Sequence, residues 1–219
     1  KLNVIDTPGH IDFTIEVKRS LRVLDGAVVV FDCVAGVEPQ SLTNWRYAED
    51  YNVPRVCFIN KLDRLGASFD RAYASILEQL SPNAVRFQIP DGSEEGFCGI
   101  VDLMTMEYVT FSGDKGEKIT KVKEIPAHLQ AEATKARSEL VEKLVEHDDE
   151  VMATYLDGIQ PDLETLRRLA RKATIAGKIY PVLCGSALKN KGVQLVLDAV
   201  SYYLPAPTDV PPLKGVDQK

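Results

Sequence analysis

Cysteine is scarce and unpaired in this 219-residue sequence: Cys33, Cys57, Cys98 and Cys184 stand far apart, with no C-x-x-C pair. That excludes a small disulfide scaffold, and three of the four fall in apolar strand-like runs, which reads as reduced core thiols in a cytosol-like compartment. Only three histidines occur, none at metal-ligand spacing from a cysteine, so no zinc pattern exists. No apolar run approaches the length of a membrane span, and no secretory signal opens the chain. Positive charge is not in excess either. Lys and Arg number 26 against 32 Asp and Glu, a net −6, so no general basic field points to nucleic acid. Neither an internal repeat nor a low-complexity tract is present.

What remains is an ordinary globular composition, 45% hydrophobic and 26% charged, long enough for one large domain or two small ones. Leu2-Asn3-Val4-Ile5 reads as the end of a buried strand. From Ile11 to Leu24, Phe13, Val17, Leu21 and Leu24 recur at helical spacing, with Asp12 and Glu16 where the helix dipole favours acids. Ala27–Phe31 is a continuous apolar run of the kind buried on both faces of a parallel sheet. Pro39 opens a helix to about Tyr51, Arg55–Ile59 is another buried strand, and a helix covers about Phe69 to Leu80. Strand alternating with helix over short loops predicts a parallel sheet covered on both faces, whose ligands sit beyond the carboxyl ends of the strands.

The texture changes near Pro82. Val85–Ile89, Phe97–Val101 and Tyr108–Phe111 are strands between turn clusters, closer to an antiparallel meander than to βαβ. A long helix from about Pro126 carries the stripe Leu129, Ala133, Ala136, Leu140 and Leu144, and another runs from about Asp162 to Ala176. Residues 83–177 are therefore expected to be an inserted subdomain. The α/β pattern returns with Ile179–Cys184, whose Pro181 predicts an edge strand. A final helix carries Val193, Val196, Leu197, Val200 and Leu204, and a proline-rich linker follows from Pro205 to 219. On this reading residues 1–82 and 178–204 form the core.

Three segments carry the chemistry, each after a predicted strand. Asp6-Thr7-Pro8-Gly9-His10 has an aspartate where a magnesium-linked carboxylate is needed, then a Pro-Gly turn whose glycine lets a backbone N–H approach an anion. His10 follows where a side chain could orient a water. In Asn60-Lys61-Leu62-Asp63 the aspartate can accept both the N1–H and the exocyclic amine of guanine, a match adenine does not offer. The asparagine can reach the O6/N7 edge, and the lysine stem can lie along the purine face. Gly185-Ser186-Ala187-Leu188 supplies backbone N–H groups toward O6. Alone, each segment is as readily a strand-end turn; three in order are far harder to dismiss.

These segments resemble the third, fourth and fifth motifs of the translation-factor GTPases, with histidine at position 10 where small signalling GTPases carry glutamine. Three longer stretches are similar to elongation factor G: Asp12–Val17 with Ser20–Ala27, Ala35–Gln40, and Gly185–Gly192. The resemblance spans nearly the whole chain, weakest across 112–165, and it implies an α/β fold of the P-loop GTPase type with an insertion between the fourth and fifth motifs. It further implies that GTP and GDP are substrate and product, and that Asp6 holds Mg2+ through water. The Gly9 amide would contact the γ-phosphate, and His10 would orient the hydrolytic water on the ribosome. Asn60, Lys61 and Asp63, helped by Ser186 and Ala187, would select guanine. Implied partners are the ribosome, its stalk protein at the insert's helices, and tRNA–mRNA through other domains. Bacterial cytosol is the first choice of compartment and an organelle the second.

One departure is large. No G-x-x-x-x-G-K-[ST] occurs anywhere in the 219 residues, and phosphoryl transfer in this class needs that loop for the phosphates and its Ser/Thr for magnesium. The family's switch threonine segment is absent as well. Lys1 opens almost inside a strand, as a truncated chain would, and in the family's sheet the missing first strand lies between Ile5 and the strand around Val29. The expectation is that these residues alone neither hydrolyse GTP nor bind it tightly. The rival readings are a non-catalytic ribosome-associated module that lost the phosphate loop, or another ribosomal GTPase such as a tetracycline-resistance protection protein or peptide release factor three.

Overall fold

A computed structural model describes residues 2–7, 14–113 and 116–209. Among the described residues the first regular element is helix α1 (Thr14–Leu21), followed by strand β1 (Ala27–Asp32), α2 (Pro39–Asp50), β2 (Arg55–Asn60) and α3 (Phe69–Gln79). Strands β3 (Ala84–Arg86), β4 (Gln88–Asp91), β5 (Gly99–Asp102), β6 (Glu107–Ser112) and β7 (Lys118–Val122) come next. Helices α4 (Ala127–Val145), α5 (Asp149–Leu156) and α6 (Leu163–Ile175) precede β8 (Tyr180–Cys184) and α7 (Val193–Tyr203). No helix among the described residues is long and apolar enough to cross a membrane.

Two four-stranded sheets result, one in the order β1-β2-β8-β3 with all its pairs parallel, the other an antiparallel meander β4-β5-β6-β7. Alternation along β2 places helices on both faces of the parallel sheet. Val56 and Phe58 enter the core cluster of α4, α6 and α7, whereas Cys57 and Ile59 enter that of α2 and α3. The helix boundaries have local causes. Pro39 occupies the first turn of α2, Ser68 Oγ accepts the Arg71 N–H at 3.3 Å to cap α3, and Asp162 caps α6 through the Thr165 N–H at 2.7 Å. The predicted stripe on α4 is buried and is widened by Val141 and Val145.

Four expectations need correction. Residues 2–7 form no strand: Leu2, Val4 and Ile5 are exposed, Val4 by 84%. An apolar run becomes a strand only with a ladder partner for its N–H and C=O groups, and the described residues offer this one none. Pro181 sits in β8, which lies between β2 and β3 rather than at an edge. The fold tolerates it because Tyr180 and Val182 direct their backbone groups to the β3 side (Tyr180 N–H to Asn83 O 3.0 Å, Phe87 N–H to Val182 O 3.0 Å). Pro181 therefore faces β2, and pairing with β2 begins only at Val182.

The predicted strand 85–89 is two strands in different sheets, parting at Phe87, so the parallel sheet takes in 84–86. The meander also shares its core with the parallel sheet. Ile89 and Val101 join one cluster, Ile100 and Val109 the other, and the buried Gln88 accepts the Cys184 N–H at 2.9 Å. Last, all four cysteines are free, but Cys98 lies at the surface while Cys33, Cys57 and Cys184 are buried. Strand β7, exposed along its whole length, and the short helix α5 carried too weak an apolar pattern to be predicted.

Candidate functional site

The carboxyl ends of β1, β2 and β8 lie side by side: Asp32 is opposite Asn60, and Ile59 opposite Cys184. Asn60 ties the two predicted base-reading loops together, because its Oδ1 accepts the Lys61 N–H at 2.7 Å and the Ala187 N–H at 2.9 Å. With the carbonyl oxygen doubly engaged, the Asn60 amide nitrogen is the group left to donate. The Leu62 N–H donates to Gly185 O at 3.2 Å, and the Gly185 N–H to Ile59 O at 3.0 Å, closing the two loops onto each other. Lys61 adopts φ +67°, a left-handed conformation costly for a residue with a Cβ. Such strain persists only where the surroundings fix it, and here the flanking hydrogen bonds do so.

Asp63 is half-buried, and no partner reaches its carboxylate among the described residues. That leaves its two oxygens for an incoming pair of N–H donors, the requirement for guanine. Lys61 is held differently. Its Nζ donates to Asp32 Oδ2 at 2.7 Å, and Arg64 Nη1 approaches the same oxygen at 3.7 Å. Asp32 Oδ1 accepts the Val34 N–H at 2.8 Å and the Ala35 N–H at 3.4 Å. Burial alone would raise the pKa of Asp32, but the Lys61 ammonium and these two N–H groups overcome it and hold the carboxyl below its usual value. Asp32 escaped the sequence reading, although its place at the end of an apolar run, like that of Asn60, was the signal.

Leu62 and the Ser186 loop depart from expectation. The Leu62 side chain is fully buried, its N–H goes to Gly185 and its C=O accepts the Glu94 N–H at 2.7 Å, so Leu62 offers nothing to a ligand. Ser186 is fully buried, with its N–H on Lys191 O at 2.9 Å and its Oγ accepting the Lys189 N–H at 3.2 Å. The Ala187 N–H is taken by Asn60, and the Asn190 N–H by Ala187 O at 3.0 Å. Among the described residues, the N–H in 186–191 without an acceptor is that of Leu188, whose side chain is 85% exposed. The N–H of this loop left to donate is thus that of Leu188, not those of Ser186 and Ala187. Gly192 must be glycine: at φ +88° a Cβ there would meet Cys184 O at 2.6 Å.

The phosphate-side segment is a different case. Asp6 is exposed in irregular backbone, and among the described residues no hydrogen bond or ion pair joins Asp6 or Thr7 to the 60–63 or 186–188 loops. Pro8, Gly9 and His10 lie outside the described residues. The described residues contain no cluster of three or more His, Cys, Asp or Glu able to hold a metal.

Residues 1–206 match the model of the elongation factor Tu GTP-binding domain. Among solved structures, the chain is similar to a crystal structure of a protein from Thermus thermophilus, with a TM-score of 0.84 and 25% identity. That match covers 93% of this chain and 30% of the relative, so the chain spans under a third of that protein's length.

Proposed function

The chain belongs to the elongation factor Tu GTP-binding domain family, and from that premise we propose that it is the guanine-reading part of the GTPase domain of an elongation factor G-type translation factor. The observation that carries the proposal is the pairing of an Asp63 carboxylate without a partner among the described residues with an Asn60 whose oxygen already accepts two N–H groups and whose amide nitrogen is left to donate. Asp63 accepts the guanine N1–H and exocyclic amine, Asn60 donates to the N7 edge, and the Leu188 N–H donates to O6. Lys61, fixed by Asp32, flanks the base with its stem. Asp6 would hold Mg2+ and His10 would orient the attacking water. Magnesium, when bound, neutralises charge on the phosphate oxygens.

In the whole factor, GTP hydrolysis drives tRNA–mRNA translocation on the ribosome, and the helices α4 to α6 meet the stalk protein. The compartment is the bacterial cytosol. Within these 219 residues no G-x-x-x-x-G-K-[ST] cradles the phosphates, so this polypeptide alone binds guanine nucleotide weakly and does not hydrolyse it. Titration with GDP and with ADP tests both parts. Weak binding that prefers GDP is expected; an equal response to ADP would remove the guanine assignment, and submicromolar GDP affinity would remove the need for the missing loop.

A further inference from the structure

The tight turn between β4 and β5 reaches back to the rim of the parallel sheet. Glu94, in the one-turn 3-10 helix Glu94–Gly96, donates its backbone N–H to Leu62 O at 2.7 Å and accepts the Gly66 N–H on Oε1 at 2.7 Å. One residue therefore holds the 62–66 loop at both ends, with Asp63 between them. Three residues on, Phe97 O accepts the ammonium of Lys191 at 2.7 Å, and Lys191 O holds the Ser186 N–H. Both base-reading loops are thus fastened to the same short segment of the meander.

That segment is itself stiff. Cys98 N–H donates to Asp91 O at 3.0 Å across its base, Phe97 is buried in the core shared with β2 and β8, and a Cβ on Gly92 would collide with Gly96 O. Glu94 also carries a cost: its φ is +57°, where glycine would sit without strain. A strained non-glycine residue whose side chain makes a close contact with a functional loop is best explained by that contact.

We propose that Glu94 is a positioning residue for guanine recognition: it locks the Asp63 loop in its base-accepting shape and so couples the inserted meander to nucleotide binding. The inference rests on the guanine reading of Asn60 and Asp63. It also predicts traffic in the other direction, since a partner that shifts the meander would loosen the base.

Glu94→Gly separates this role from stability, because it removes the carboxylate while relieving the backbone. In the 219-residue chain its thermal midpoint is expected to stay level or rise. Exchange of the Gly66 amide should rise about tenfold or more, the worth of a lost hydrogen bond to a charged group. The preference for GDP over ADP, followed by the NMR shift of the Asp63 amide at millimolar nucleotide, should fall by a similar factor. Glu94→Gln keeps an oxygen facing Gly66 and should restore protection and preference. Wild-type protection and preference in Glu94→Gly would overturn the inference while leaving the guanine site standing, and so would collapse of the fold in that variant. Absence of any GDP preference in the parent chain would instead remove the guanine reading, and this inference with it.

Discussion

Two regions of the chain begin from similar sequence and end differently. Val56–Ile59 and Leu2–Ile5 are both short apolar runs followed by a polar residue and a loop rich in chemistry. The first is buried between β1 and β8, and the loop after it is held by Asn60, Gly185 and Glu94. The second has no ladder partner among the described residues, its apolar side chains are exposed, and Asp6 after it is exposed too, with no hydrogen bond or ion pair to the rim among the described residues. Strand propensity is a preference that pairing must complete, and a site at a strand's end inherits its order from the ladder behind it. Strand β1, at the end of its sheet, differs between its two faces: Val28 and Val30 on one are 37% and 57% exposed, while Phe31 on the other is 1% exposed.

The comparison sharpens or breaks on substitutions at the ordered rim. Leu62→Ala should have the largest effect, a loss of about 3 kcal/mol of stability in urea unfolding, because it opens a cavity under the 60–63 loop. A loss well below about 1 kcal/mol would show that the loop does not depend on its buried leucine. Asn60→Ala leaves the Lys61 and Ala187 N–H groups without their acceptor and should cost about 2 kcal/mol. Asn60→Asp keeps an accepting oxygen and should recover most of it.

The Asp32–Lys61 pair gives a pH signature. Because the folded pKa of Asp32 lies below its ordinary value of 3.8, its contribution is fully present above the unfolded pKa and is lost as pH falls through the folded one. Stability of the parent chain should therefore drop more steeply below about pH 4 than that of Asp32→Asn, measured by urea midpoints across the acid range. Val30→Lys should have the smallest effect on the fold, within about 0.5 kcal/mol. It should nonetheless lower self-association in light scattering, since lysine on an open strand edge opposes edge pairing.

Much of the architecture was legible beforehand. The runs at Arg55–Ile59 and Ile179–Cys184 carry the unbroken apolar character of strands buried on both faces, and Asp162 and Pro39 mark helix starts in plain chemical terms. Ala27–Phe31 carries the same character but is the end strand of its sheet, with Val28 and Val30 exposed on one face, so the expectation of burial on both faces fails there. Val85–Ile89 misled because period-two patterning does not reveal a strand that changes sheets at Phe87. Pro181 misled because an imide nitrogen excludes a strand from the centre only where its missing N–H would meet a partner. Within the candidate site, residue types singled out Asn60 and Asp63, which the structure places at the rim, but not the assignment of each N–H. That Leu188 rather than Ala187 has a free donor depends on the Asn60–Ala187 contact, the Ser186 N–H being taken by Lys191 O, and Glu94 is a neighbour through tertiary structure alone, 31 positions from Asp63.

Asp63→Asn is the most direct test of guanine reading at this rim. The amide keeps an acceptor for a base N1–H but turns the second acceptor into a donor, which suits the C2 carbonyl of xanthine and repels the C2 amine of guanine. Titrated with GDP and with xanthosine diphosphate, the variant should lose its GDP response and gain one to the xanthine nucleotide, with the parent chain behaving the opposite way. Unchanged preference for GDP in the variant would contradict the account, because Asp63 would then not be the residue that meets the base.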